Sequence, residues 1–231
     1  MWSIRGSVVM TLGLIGVAAL AGVWAGTPTA SAQRTVRRYS APVPQVVEPP
    51  TLLVRDTPTN LQAAFTREMN AKQRYVAFAK QADREGYPAV ARLFRACARA
   101  EQMHADAHVH AIAWTGGEAR AVLDRLAVGT TAENLKSAIE LETYEVERFY
   151  PVLIERARSD REPEAVRSMT FALSAEREHA RLLTTALATL DQHPSPHPIY
   201  VCSLCGKTVE SLGFKKCPNC FTSAKRFVSQ S

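Results

Sequence analysis

No internal repeat runs through the 231 residues, which excludes a solenoid. Excess charge of one sign is also scarce: 28 basic residues against 22 acidic ones give a formal +6, scattered along the chain. Residues 1–32 contain one base, Arg5, so the remainder keeps a formal +5. That balance gives no footing for a nucleic-acid partner. Residues 200–231 are the locally basic part, with Lys207, Lys215, Lys216, Lys225 and Arg226 against Glu210; the plain reading is solvated charge, and an acidic redox partner is the alternative. Cysteine is sparse too, at five residues, four of them close together near the C-terminus. With 46% hydrophobic residues, the chain has enough apolar material for one substantial core and a small module.

The N-terminal stretch reads as a targeting segment. Met1 to Arg5 is short and positively charged, Val8 to Val23 is nearly all apolar, and Ala30-Ser31-Ala32 is a small-residue cleavage pattern. The expectation is an export signal over residues 1–32, cut before Gln33, with a retained membrane anchor as the alternative. Either form places the folded part outside the cytoplasm, in the periplasm. No Arg-Arg pair precedes the apolar run, which favours export of an unfolded chain and metal loading afterwards. Residues 33–56, with Pro42, Pro44, Pro49 and Pro50, have the composition of an extended tether.

Two Glu-x-x-His pairs carry the chemistry: Glu101 with His104, and Glu176 with His179. Residues three apart lie on nearly the same face of a helix, so each pair presents a carboxylate and an imidazole to one point. Glu68, Glu142 and Glu145 add carboxylates from two further helical stretches. Glu68 follows Phe65, Glu142 follows Ile139 and Glu176 follows Leu173, so the acids sit on the apolar stripes. Each unpaired buried carboxylate would cost on the order of several kcal/mol, too much for a marginally stable domain. Cations remove that penalty, and mixed oxygen and imidazole donors suit iron or manganese.

Four helices follow from the punctuation. Thr57-Pro58 reads as a cap and first turn, and Gly86-Tyr87-Pro88 ends the first helix and starts a second that runs to about Trp114. Gly116-Gly117 breaks it. Residues 117–130 form a connection, with a short helix expected at Val122 to Leu126. Thr130 and Glu133 form a capping box for the third helix, which carries Leu135, Ile139, Glu142, Glu145, Phe149 and Leu153. The fourth begins near Pro163. The long connection lets helices two and three run parallel, as in a ferritin-like bundle.

Cys202-x-x-Cys205 and Cys217-x-x-Cys220 form two knuckles, a strong signal for a tetrahedral iron or zinc site and a poor framework for disulfides. Cys97 reads as a small core residue. The linker, residues 191–198, contains Pro194, Pro196 and Pro198. Its stiffness favours holding the cysteine module away from its own bundle and against a neighbour.

Glu68, Glu101-x-x-His104, Glu142-x-x-Glu145 and Glu176-x-x-His179, followed by the four-cysteine module, resemble the rubrerythrin family. Arg74-Tyr75, Ala91-Arg92-Leu93-Phe94-Arg95, Thr131-Ala132-Glu133-Asn134-Leu135 and Glu142-Thr143-Tyr144-Glu145 strengthen the likeness, which covers about residues 57–229 and leaves out the N-terminal stretch. Phe221 departs from it, standing where many rubredoxins carry glycine. The resemblance implies an all-α ferritin-like four-helix bundle over residues 57–190, then the linker and a rubredoxin-like domain over residues 199–231. It implies two iron ions held by Glu68, Glu101, His104, Glu142, Glu145, Glu176 and His179, and one iron ion, with zinc as the alternative, held by Cys202, Cys205, Cys217 and Cys220.

By the same resemblance, Glu145 matches a carboxylate beyond the usual ferritin set, and His104 the ligand that exchanges with it as one iron changes redox state. Tyr75 and Tyr150 are implied to hydrogen-bond the ligand carboxylates, while His108 and His110 read as non-ligands. The activity implied is a peroxidase that reduces hydrogen peroxide to water, with electrons from an unidentified redox donor relayed through the cysteine-bound iron. Head-to-tail dimers in the family imply a homo-oligomer. An iron-oxidising, iron-handling protein is the second reading, and a non-catalytic scaffold with a zinc ribbon the third.

Overall fold

The computed structural model describes residues 54–230, so the expected export signal and nearly all of the expected tether lie outside the described residues. Helix α1 spans Thr57–Arg84, α2 Pro88–Trp114 and α3 Thr131–Tyr144. A π-helical turn, Glu145–Phe149, joins α3 to α4, Tyr150–Ser159, and α5 spans Pro163–Ala188. The expected third helix is thus α3, the π-turn and α4 in continuous succession. Pro151 supplies a cause for the turn. It has no N–H and its ring crowds the carbonyl four residues back, and the local ladder shifts so that Tyr150 N–H reaches Glu145 O, five residues away.

Helix α1 shows why the acids end up inside. Leu61, Ala64, Glu68, Ala71, Tyr75, Phe78 and Ala82 are all buried, at alternating spacings of four and three. Glu68 occupies a core position of that stripe, and its packing neighbours place it there whatever its charge. The cap differs from the expectation: Asp56 accepts from Thr59 N–H at 3.0 Å, whereas the Thr57 hydroxyl donates to Asp160 at 2.7 Å. Asp is the better N-cap here because Thr57 is drawn inward to fasten α1 to the end of α4.

The connection after α2 carries no helix at Val122 to Leu126; instead it lies extended along α1. Gln62 donates to Glu118 O, Asn70 to Val122 O and Gln73 to Asp124 O, and Thr131 N–H meets Glu85 at the far end of α1. Hydrogen bonds to α1 side chains replace those of a local helix, which a stretch with Val122 76% exposed has no apolar face to stabilise. Because the connection travels the length of α1, α3 starts at the same end as α2, and the two run parallel. The bundle is ferritin-like in this connectivity.

The cysteine module is a three-stranded antiparallel sheet of order β2-β1-β3, with β1 Ile199–Cys202, β2 Thr208–Val209 and β3 Phe227–Gln230. It does not stand off from its own bundle as the prolines suggested. Ile199 and Val201 are buried in the bundle core with Val90, Leu182 and Leu183. The linker is pinned as well: His193 stacks on Tyr87 with centroids 4.9 Å apart, and Arg92 donates to His197 O. Lys207 reaches Ser174 O, Asn219 reaches Phe171 O, and Arg181 pairs with Glu210 at 2.8 Å, so α5 carries most of the polar contact. Apolar burial by β1 and these contacts outweigh the stiffness of the linker.

Candidate metal centres

Six side chains from α1, α2, α3 and α5 converge inside the bundle, each at most 2% exposed. Their donor atoms form two groups, each within 4.8 Å: Glu68, Glu101, His104 and Glu176, and Glu101, Glu142, Glu176 and His179. Glu101 and Glu176 belong to both. His104 Nδ1 lies 2.9 Å from Glu101 Oε2 and 2.9 Å from Glu176 Oε1, while His179 Nδ1 lies 2.7 Å from Glu176 Oε2 and 3.4 Å from Glu101 Oε1. Two carboxylates thus face both imidazoles, the arrangement that bridges a pair of cations.

Hydrogen bonding supports the fit. Glu68 Oε2, Glu101 Oε1, Glu142 Oε2 and both Glu176 oxygens are buried without a donor. Buried carboxylate oxygens left in that condition are costly, and cations relieve all of them together. The opposite oxygens of two ligands are held in place: Tyr75 donates to Glu142 Oε1 and Tyr150 to Glu68 Oε1. Burial, then the charge of Glu176, pushes the Glu142 carboxyl up to about 8. Burial presses Glu68 the same way, but His104 and His108 beside it hold its carboxyl below the usual range.

Glu145 sits next to this cluster, 5% exposed, yet falls outside both groups. Its Oε1 accepts from Arg67 Nε at 2.8 Å. His108 is buried outside the groups too, bonded to Ser168 at 3.1 Å and to the Tyr150 hydroxyl at 3.2 Å; His110 is exposed, and Cys97 is a core residue.

In the module, Cys202 and Cys220 sulfurs lie 3.8 Å apart and those of Cys205 and Cys217 3.6 Å, with all four thiols free. A tetrahedral ion with bonds of about 2.3 Å needs sulfurs about 3.8 Å apart, so the four-thiolate set fits. The Cys202 thiol is lowered to about 5 by the Cys205 hydrogen bond, against burial, with help from the backbone N–H groups of Leu204 and Cys205. The first knuckle also touches both bundle histidines. Thr208 donates to Gly206 O at 3.1 Å and therefore accepts from His179 Nε2–H at 3.0 Å. That contact leaves Nδ1 as a lone pair aimed at the carboxylates. Gly206 has φ +72°, and a Cβ there would stand 2.3 Å from His104 Nε2, so only glycine fits.

Arg67, Gly206 and Thr208 were not among the expected site residues. Arg67 is next to Glu68, but its partner is 78 positions away, and the contacts of Gly206 and Thr208 cross between domains.

Fold and donor set together define a class: a ferritin-like carboxylate and histidine two-metal protein with a four-cysteine metal-binding module. Residues 59–187 match the rubrerythrin family model. The chain is 31% identical to rubrerythrin-2 of Clostridium acetobutylicum over 72% of its length and 92% of the relative's, and 33% identical to nigerythrin of Nitratidesulfovibrio vulgaris over 76% and 87%. A solved nigerythrin chain in its fully reduced, all-ferrous state covers 90% of this chain and 100% of that one, at 31% identity and a TM-score of 0.71. The chain belongs to the rubrerythrin family, and its two sites are the di-iron site and the four-cysteine iron site of that family.

Proposed function

We propose that this chain reduces hydrogen peroxide to water at the di-iron site, with electrons relayed through the cysteine-bound iron. The observation that carries the relay is the seating of the Cys205-Gly206 turn and Thr208 against His104 and His179. One peroxide takes up two electrons and two protons and yields two waters; ferrous ions in the bundle would supply one electron each and Lewis acidity. The protein's part is positional. Tyr75 and Tyr150 fix two carboxylates, Thr208 fixes the His179 tautomer, and burial of all six ligands keeps bulk water off the site.

Anaerobic stopped-flow mixing of the fully reduced protein with peroxide tests the reading. The di-iron and cysteine-iron bands should both oxidise, the first ahead of the second. Faster reoxidation by dioxygen than by peroxide would favour the iron-oxidising alternative, and a colourless cysteine site would mean zinc and no relay. A redox donor of unknown identity and a homo-oligomer belong to the same proposal, the latter checked by sedimentation. We also infer action outside the cytoplasm, from the charged start, the apolar run and the Ala30-Ser31-Ala32 pattern. Intact mass of protein from the native envelope should give Gln33 as the first residue.

A further inference from the structure

Glu145 opens the π-turn one turn beyond Glu142, where a ligand would be expected, and one cation accounts for its absence from the groups. Arg67, from α1, donates Nε–H to Glu145 Oε1 at 2.8 Å and places Nη2 2.7 Å from the same oxygen. Its guanidinium lies 5.0 Å from the Tyr144 ring centroid and 4.9 Å from that of Phe149. Tyr144, the last residue of α3, and Phe149, the last of the π-turn, bracket the acid in sequence, so one short stretch carries both Glu145 and the aromatic cradle for its partner. With the side chain 24% exposed and the head held by two rings and a carboxylate, this is no loosely screened surface pair.

We infer that Arg67 is a positioning residue that holds Glu145 away from the metal pair, leaving six protein ligands in place and a seventh in reserve. The inference needs the two-metal site but not the identity of the oxidant. Two divalent cations carry four positive charges, and the carboxylates of Glu68, Glu101, Glu142 and Glu176 balance them. A fifth carboxylate is surplus in that state and is better paired with a guanidinium. Two trivalent ions leave the four carboxylates short, and the pull on Glu145 grows. Arg67 therefore competes with the metals for one carboxylate and weights the site toward its divalent form. Removing it should release Glu145 to the ions and make the pair harder to reduce.

Manganese(II) is the probe, because its preference for oxygen and imidazole donors keeps it from the four-thiolate site. Free manganese is counted by electron paramagnetic resonance during titration of wild type, Arg67→Leu, Arg67→Lys and the double variant Arg67→Leu with Glu145→Gln. Arg67→Leu should bind manganese roughly tenfold tighter, the scale of one charge-assisted hydrogen bond no longer competing. The double variant should return to the wild-type affinity, and Arg67→Lys, which keeps the charge but not the fork, should fall between. A crystal structure of manganese-loaded Arg67→Leu should show Glu145 on the metal. Unchanged or weaker binding, or a gain that persists in the double variant, would overturn the inference. If Arg67→Leu does not fold, Arg67→Lys alone decides: no tightening overturns it.

Discussion

Glu176 belongs to both ligand groups and sends one oxygen to each histidine, at 2.9 Å from His104 and 2.7 Å from His179. Glu176→Ala should therefore lower bundle metal content by more than about tenfold. The cysteine-bound metal should stay at one ion per chain, because the two sites share no ligand; metal analysis of the purified variant checks both. The same acids set the pH response of metal-free protein. Glu142, pushed up to about 8 from an ordinary 4.5, keeps a proton in the folded chain that the unfolded chain releases, so stability falls as pH rises across that window. His104 and His179 are raised above their ordinary 6.5 despite burial, by the Glu176 carboxylate for the first and by those of Glu176 and Glu101 for the second, so their stabilisation also fades as pH rises. Glu68 acts oppositely, but its gain is complete by about pH 5. The melting temperature of metal-free protein should thus be highest near pH 5 and decline toward pH 8. Metal-loaded protein should not show that decline, since ions displace these protons.

Between elements, the contact of β2 with α5 couples the two sites. Thr208 accepts the Nε2–H of His179, and that proton's position keeps Nδ1 free for a metal. Thr208→Val preserves shape and removes the acceptor. It should weaken manganese binding to the bundle by about 10- to 100-fold, the usual effect of losing a partner that orients a ligand. Titration as above measures it, and an unchanged affinity would show that packing alone orients His179. The π-turn matters at the same level. It is five residues long, and it places Glu145, Phe149 and Tyr150 inward together, where a regular helix would turn one of them aside.

For the molecule as a whole, the module is part of the bundle's packing as well as the proposed electron relay. Deleting residues 199–231 removes Ile199 and Val201 from the core, so the truncated chain should melt lower than the full one. A cleaner test of the relay is Cys202→Ser with Cys205→Ser, which keeps β1 in place. At matched di-iron content, that variant should consume one charge of peroxide after chemical reduction yet fail to turn over with a donor that acts through the cysteines. Multiple-turnover peroxide consumption decides it, and rates equal to wild type would show electrons bypassing the module.

Helical periodicity, glycine and proline punctuation and the Glu-x-x-His spacing were enough to place the four ligand-bearing helices and name the side chains that meet in the two groups, because each is a local signal within one or two turns. Paired Cys-x-x-Cys motifs likewise announced the second site. Three things were beyond local reading. The seat of the module on its own bundle depends on apolar contact between β1 and the helices, which outweighs three linker prolines. The path of residues 117–130 depends on α1 side chains that offer hydrogen bonds along its length. The withdrawal of Glu145 depends on Arg67, which only the packing of α1 against the π-turn brings to it. In each case the deciding partner is distant in the chain, and close approach of separate elements, not the order of residues, sets which charge a carboxylate meets.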